Sequence, residues 1–115
     1  MIIAVEGTKQ FTDYDTFMRA MGVALSQPNN ENIIEVWSAG PHKINSFTAA
    51  FCNSAENYLK QKGYKVLFKK LPGKYISENI SYVSYLAHFA TKNDTPSRLV
   101  AEAELAGVEV GIFRS

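Results

Sequence analysis

Five short runs of β-branched and aromatic residues alternate along the chain with amphipathic, capped segments, and this alternation constrains the fold more than any other feature. Ile2 to Val5 is apolar and stops at Gly7, as a buried strand does. Phe17, Met18, Met21, Ala24 and Leu25 follow at three- and four-residue spacing, which predicts one face of a helix. Thr12-x-x-Asp15 resembles a capping box at its start, and Gln27-Pro28-Asn29-Asn30 ends it. Ile33, Ile34, Val36 and Trp37 form a second strand that runs out at Ala39-Gly40-Pro41.

A second helix is expected with Asn45 or Ser46 as cap, a buried face of Phe47, Ala50, Phe51, Ala55, Tyr58 and Leu59, and Gly63 as its left-handed stop. Tyr64 to Phe68 reads as the third strand. Residues 71–82 supply the dozen or so positions a parallel crossover needs, with a short helix around Ile76 to Ile80. Tyr82 to Phe89 is the fourth strand. Thr95-Pro96 reads as a helix start, with Leu99, Val100 and Ala103 facing inward and Gly107 closing. Val108 to Phe113 completes the pattern. The expected fold is α/β, a Rossmann-like three-layer sandwich with a mostly parallel five-stranded sheet, and residues 1–115 make one domain.

Composition narrows the function classes. A net charge of +1 argues against a protein that grips nucleic acid by bulk electrostatics, although it leaves room for a local basic patch. The single cysteine, Cys52, excludes an intrachain disulfide and a cysteine-rich zinc site. The apolar start is too short for a signal peptide, and no run approaches the length of a membrane span. The expectation is a cytoplasmic protein with no membrane partner.

Ligands of doubly wound sheets bind beyond the carboxyl ends of the strands, near the point where strand order reverses. Three loops are thereby nominated: Gly7 to Asp13, Ala39 to Asn45, and Thr91 to Arg98. The first follows a strand and opens a helix, so its backbone N–H groups suit an anion, with Lys9 adding charge. It is neither a dinucleotide fingerprint nor a P-loop, because the required glycines and the Gly-Lys-Ser/Thr ending are missing.

The string Gly7-Thr8-Lys9-Gln10-Phe11-Thr12-Asp13-Tyr14 resembles the Gly-Ser-Arg-x-Phe-x-Asp-Tyr opening of YspA-like proteins. These belong to the SLOG superfamily, together with DprA and the LOG phosphoribohydrolases. Gly40-Pro41-His42-Lys43-Ile44-Asn45 stands where that family has Gly-Ala-Arg-Gly-Ala-Asp, and Asp94-Thr95 where it has Gly-Thr before a helix. The resemblance implies a Rossmann-like fold that senses or processes a nucleotide-derived ligand. Lys9 replaces the usual arginine, Asn45 the aspartate and Asp94 the glycine. Arg98 stands where LOG enzymes carry a glutamate, and an arginine cannot serve as a general base.

The expected ligand-binding set is therefore Gly7, Thr8, Lys9, Asp13, Gly40, His42, Lys43, Asp94, Thr95 and Arg98. Lys9, His42, Lys43 and Arg98 would hold an anion, and Asp13 and Asp94 would bond ribose hydroxyls. No catalytic residue, cofactor or metal is assigned, and the balance leans away from an enzyme. His88 alternates with apolar neighbours and reads as a hydrogen-bonded packing residue. Trp37 and Cys52 read as core. The leading function is binding or sensing of a nucleotide or nucleotide-derived small molecule at the C-terminal edge of the sheet. One alternative is a small accessory protein that binds a nucleic-acid-processing or tRNA-handling enzyme. The other is a hydrolase of a nucleotide N-glycosidic or phosphate bond, using Asp13, Asp94 or Glu102. Homo-oligomerisation stays open.

Overall fold

The computed structural model describes residues 1–95 and 97–115. Among these residues the chain runs β1 (Ile2–Gly7), α1 (Tyr14–Leu25), β2 (Ile33–Ser38), α2 (His42–Gln61), β3 (Lys65–Lys70), α3 (Gly73–Glu78), a 3-10 turn (Ile80–Tyr82), β4 (Tyr85–Ala90), α4 (Arg98–Leu105) and β5 (Glu109–Arg114). The strands form one sheet in the order β3-β2-β1-β4-β5, and every pairing is parallel. The fold is the Rossmann-like α/β sandwich expected from the alternation.

Strand polarity sets the two faces. Ile3 and Val5 of β1 pack with Phe17, Ala20, Met21 and Ala24 of α1 and with Ile44 and Cys52 of α2. Ala4 points the other way and packs with Ile76 of α3 and with Leu99, Val100 and Ala103 of α4. The chain thus lays down β1, β2 and β3 outward on one side, crosses back, and continues with β4 and β5 on the other. Strand order reverses between β1 and β4, and Glu6 lies opposite His88 in that pairing.

Helix α1 is capped by Asp13, whose carboxylate accepts from the Thr16 backbone N–H at 3.1 Å and the Thr16 hydroxyl at 2.7 Å. The capping-box expectation is thus corrected from Thr12/Asp15 to Asp13/Thr16. Met18 is exposed, and Ala20 takes its place on the buried face. Helix α2 starts after Pro41 with no side-chain cap, so its cap position lies four residues before the expected Asn45. Its buried line is Ile44, Thr48, Cys52 and Leu59, whereas Ala50 and Tyr58 are exposed. Thr48 can be buried because its hydroxyl donates to the Ile44 carbonyl at 2.7 Å. Gly63 and Gly107 have the positive φ expected after α2 and α4.

Two boundaries move for local reasons. The 3-10 turn occupies Ile80–Tyr82, so β4 begins at Tyr85 rather than Tyr82. Ser97 caps α4 by accepting from the Val100 N–H at 3.3 Å, so the helix starts two residues beyond the Thr95 expectation. The expected first-turn proline, Pro96, lies outside the described residues.

Candidate functional site

The three nominated loops do meet at the carboxyl edge of the sheet, and most of their polar groups bond to one another. Gly7 donates its N–H to the Gly40 carbonyl at 3.2 Å, and Thr8 donates its own to the Phe89 carbonyl at 2.9 Å. The Thr8 hydroxyl donates to Asp94 Oδ2 at 2.6 Å. That same oxygen accepts from the Thr91 N–H at 3.0 Å and the Thr91 hydroxyl at 2.9 Å. Arg114 closes the loop from outside by donating to the carbonyls of Thr91 and Asp94, each at 2.8 Å. The Thr8 hydrogen bond, followed by those from Thr91, holds the Asp94 carboxyl below the usual aspartate value. Thr16 does the same for Asp13. Both aspartates are occupied in shaping loops.

Lys9 is exposed in the first loop, and His42 and Lys43 are exposed in the first turn of α2. Gly40 is buried and Thr95 exposed. Asn45 accepts from the buried Ser38 hydroxyl at 2.6 Å and so braces β2 against α2. Lys9, Gly40, His42, Lys43 and Asn45 belong to the segments that lead into or open α1 and α2, whereas Thr95 precedes α4. Of the ten expected ligand-binding residues, Arg98 alone lines the principal cleft.

That cleft, of about 580 Å³, opens between α3 and α4 on the opposite face of the sheet, at the strand switch point. Its floor is Glu6, the penultimate residue of β1, which shares the orientation of Ala4 and so faces α4. One wall is α3, with Gly73, Lys74, Ser77 and Glu78; the other is the start of α4, with Ser97, Arg98, Leu99 and Glu102. Helical spacing explains the walls. Lys74 and Glu78 are four residues apart and pair at 3.9 Å, and Arg98 pairs with Glu102 at 2.9 Å in the same way. The Ser77 hydroxyl bridges the two helices by donating to the second oxygen of Glu102.

Beneath the cleft lies a polar cluster. His88 is 1 % exposed, and its Nδ1 bonds to Glu6 Oε1 at 3.0 Å. The Ser97 hydroxyl donates to that same oxygen. An ionised Glu6 offers only acceptors, so Nδ1 carries the imidazole proton. The remaining ring nitrogen, Nε2, is buried and has no hydrogen-bond partner among the described residues. Glu6 thus meets an imidazole and a serine hydroxyl, whereas Glu78 meets a lysine and Glu102 an arginine. Its second oxygen carries no hydrogen bond among the described residues, and the residue lines the cleft.

The result is a pocket able to accept hydrogen bonds from hydroxyl groups through Glu6 and to engage an anion through Lys74 and Arg98. Helix α4 adds the positive end of its dipole at the rim. Sequence reasoning named Arg98 as part of the loop-edge anion set with Lys9, His42 and Lys43, considered Glu102 as a catalytic acid or base, and did not single out the other cleft residues Glu6, Lys74, Ser77 and Ser97. The available signal was Glu6 itself, a carboxylate at the end of an otherwise apolar strand. Trp37 and Cys52 are buried as expected, and burial pushes the Cys52 thiol up to about 11. Among the described residues no group of three or more His, Cys, Asp or Glu is arranged to hold a metal ion, and no helix is long and apolar enough to cross a membrane.

No family model and no curated protein matches this chain.

Proposed function

We propose that this chain binds a nucleotide or nucleotide-derived ligand in the cleft between α3 and α4. The observation that carries the proposal is the position of that cleft, at the switch point between β1 and β4, where doubly wound sheets bind their ligands. Its lining suits the chemistry. Glu6 is an acceptor for sugar hydroxyls, and Lys74 and Arg98 are donors for phosphate. The resemblance of the Gly7–Tyr14 loop to YspA-like proteins of the SLOG superfamily supports the same reading, as does the way that loop buttresses the switch point through Thr8 and Asp94.

The test is a thermal-shift screen against nucleoside mono- and diphosphates, cyclic dinucleotides and ADP-ribose derivatives, followed by calorimetry on any hit. A ligand at one hundred times its dissociation constant adds about 2.7 kcal/mol of apparent stability. Lys74→Ala and Arg98→Ala should each weaken binding at least tenfold, while Lys9→Ala and Lys43→Ala leave it unchanged. Equal losses from both pairs, or no ligand that shifts the melting temperature, would overturn the proposal.

One observation favours a second reading, hydrolysis of a nucleotide N-glycosidic bond. Glu102 lies one turn into α4 and lines the cleft with Glu6 and Glu78, so the pocket holds the paired carboxylates such chemistry needs. Release of free base from a nucleoside monophosphate, abolished in Glu102→Gln, is the outcome that would select it. Arg98 in place of a LOG-type glutamate, and the engagement of both Glu102 oxygens by Arg98 and Ser77, weigh against it.

A further inference from the structure

Charge in this protein is segregated far more than a net charge of +1 suggests. Residues 57–77 hold six of the twelve basic residues, Lys60, Lys62, Lys65, Lys69, Lys70 and Lys74, and none of the eleven acidic ones. The structure places them around one border of the molecule, because this segment is the end of α2, the edge strand β3 and the start of α3; Lys60, Lys62 and Lys70 belong to the α2 side of that edge and Lys65 and Lys69 to the other. All six are exposed. Lys69 is offset by Glu35 at 2.6 Å and Lys74 by Glu78, while Lys60, Lys62, Lys65 and Lys70 have no ion pair among the described residues.

The sheet surface beside them is exposed at the start of β2 and covered by α3 towards its end. Val66 and Phe68 point into the core under α2, so Lys65, Leu67 and Lys69 point to the other face. There they neighbour Ile33, Glu35 and Trp37 by register. Ile33, at the start of β2, is 46 % exposed, whereas Trp37, near its end on the same face, is buried in the cluster that includes Ile76 of α3. Lys65 and Lys69 lie about 13 Å apart at ~3.3 Å per residue. Two exposed aromatic rings flank the row: Tyr58, with the Lys62 ammonium 4.9 Å from its ring centre, and Tyr75, packed edge-on against Trp37 at 5.7 Å.

Lysines on an edge strand discourage strand pairing, and lysines after a helix suit its dipole. Neither role calls for a segment of twenty-one residues with no acid, or for an exposed ring near each end of it. We propose that the β3 border is an interaction surface for single-stranded nucleic acid, with the lysines tracking phosphates and Tyr58 and Tyr75 offering faces on which bases stack. Single strands favour this combination of a linear basic track and aromatic platforms. The surface is separate from the α3–α4 cleft, and Lys74 is the one residue near both.

The test uses the full chain and a labelled oligothymidylate of about 20 nucleotides, followed by fluorescence anisotropy. Binding should appear at about 50 mM salt and weaken with a log–log slope of about −2 to −3, as expected for three or four phosphates on a single strand. The variant K60E/K65E/K70E should lose at least tenfold in affinity, and K9E/K43E/K92E, with the same change in charge, should stay within threefold. Acetylation footprinting on the unmodified protein covers the case of a variant that does not fold. The oligonucleotide should protect Lys60, Lys65, Lys69 and Lys70 more than Lys9, Lys43 and Lys92. Absence of binding at low salt, equal losses from the two variants, or evenly spread protection overturns the proposal. Protection of the border lysines by a polyglutamate peptide but not by the oligonucleotide overturns it in favour of an acidic protein partner.

Discussion

Glu6 and His88 stand directly opposite each other on neighbouring parallel strands, and the imidazole Nδ1–H donates to the carboxylate at 3.0 Å. The pair floors the α3–α4 cleft and joins it to the core. His88 is almost fully buried. Glu6→Ala leaves the imidazole N–H unsatisfied in the interior, which costs about 1–3 kcal/mol. Glu6→Gln keeps a carbonyl oxygen in reach of Nδ1 and of the Ser97 hydroxyl, so its loss should stay below about 1 kcal/mol. Urea denaturation of the two variants checks this order. Equal stability of Glu6→Ala and the unmodified protein would mean that the pair contributes nothing.

Acid should loosen the carboxyl edge of the sheet before it unfolds the core. The Asp94 carboxyl lies below its usual value in the folded chain, chiefly through the Thr8 hydroxyl, and Asp13 is lowered by Thr16. A folded value depressed below the unfolded one contributes stability that is present above the unfolded value, about 3.9 for aspartate, and is lost as pH falls through the folded value. The melting temperature should hold from about pH 7 to 5 and decline below about pH 4. Asp94→Ala should start lower at neutral pH and decline less steeply on acidification. Melting scans across that range decide it; a variant whose acid decline parallels that of the unmodified protein would assign the effect elsewhere.

The fold was legible because each strand announces itself locally. Ile2 to Val5, and Ile33, Ile34, Val36 and Trp37, are apolar stretches bounded by turn residues, and Gly63 and Gly107 mark helix ends without help from the rest of the chain. The errors lie where local signals compete. Thr12, Asp13 and Asp15 can all serve a helix start, and only the geometry of Thr16 selects Asp13. Thr95 and Ser97 compete in the same way before α4. The site was legible as an edge and not as a pocket. Loop residues such as Thr8 and Asp94 carry the sequence resemblance, yet they bond to each other. The pocket depends on Glu6 meeting His88 and on Ser77 meeting Glu102, contacts between residues 82 and 25 positions apart. Pairing register sets the first, and the length of the β3–β4 crossover sets the second. Neither is written in any single segment.

Two glycines separate close approach from mere flexibility. A Cβ on Gly7 would stand 2.8 Å from the Phe89 carbonyl oxygen and 2.9 Å from two carbons of Ile44. The oxygen is backbone of β4 and is fixed by the Thr8 N–H, so it cannot yield as a side-chain tip would. Gly7→Ala should therefore destabilise by about 1–3 kcal/mol, the range for overpacking a filled interior. Gly22 sits within α1, and a Cβ there would meet nothing within 4 Å. Its φ is not positive. Gly22→Ala should instead stabilise by about 0.5–1 kcal/mol, because alanine gives up less backbone freedom on entering a helix. The same methyl group thus carries opposite signs at two positions, and paired urea titrations read both. A neutral Gly7→Ala would mean that β1, β4 and α2 do not approach as closely as the hydrogen bonds from Gly7 and Thr8 require.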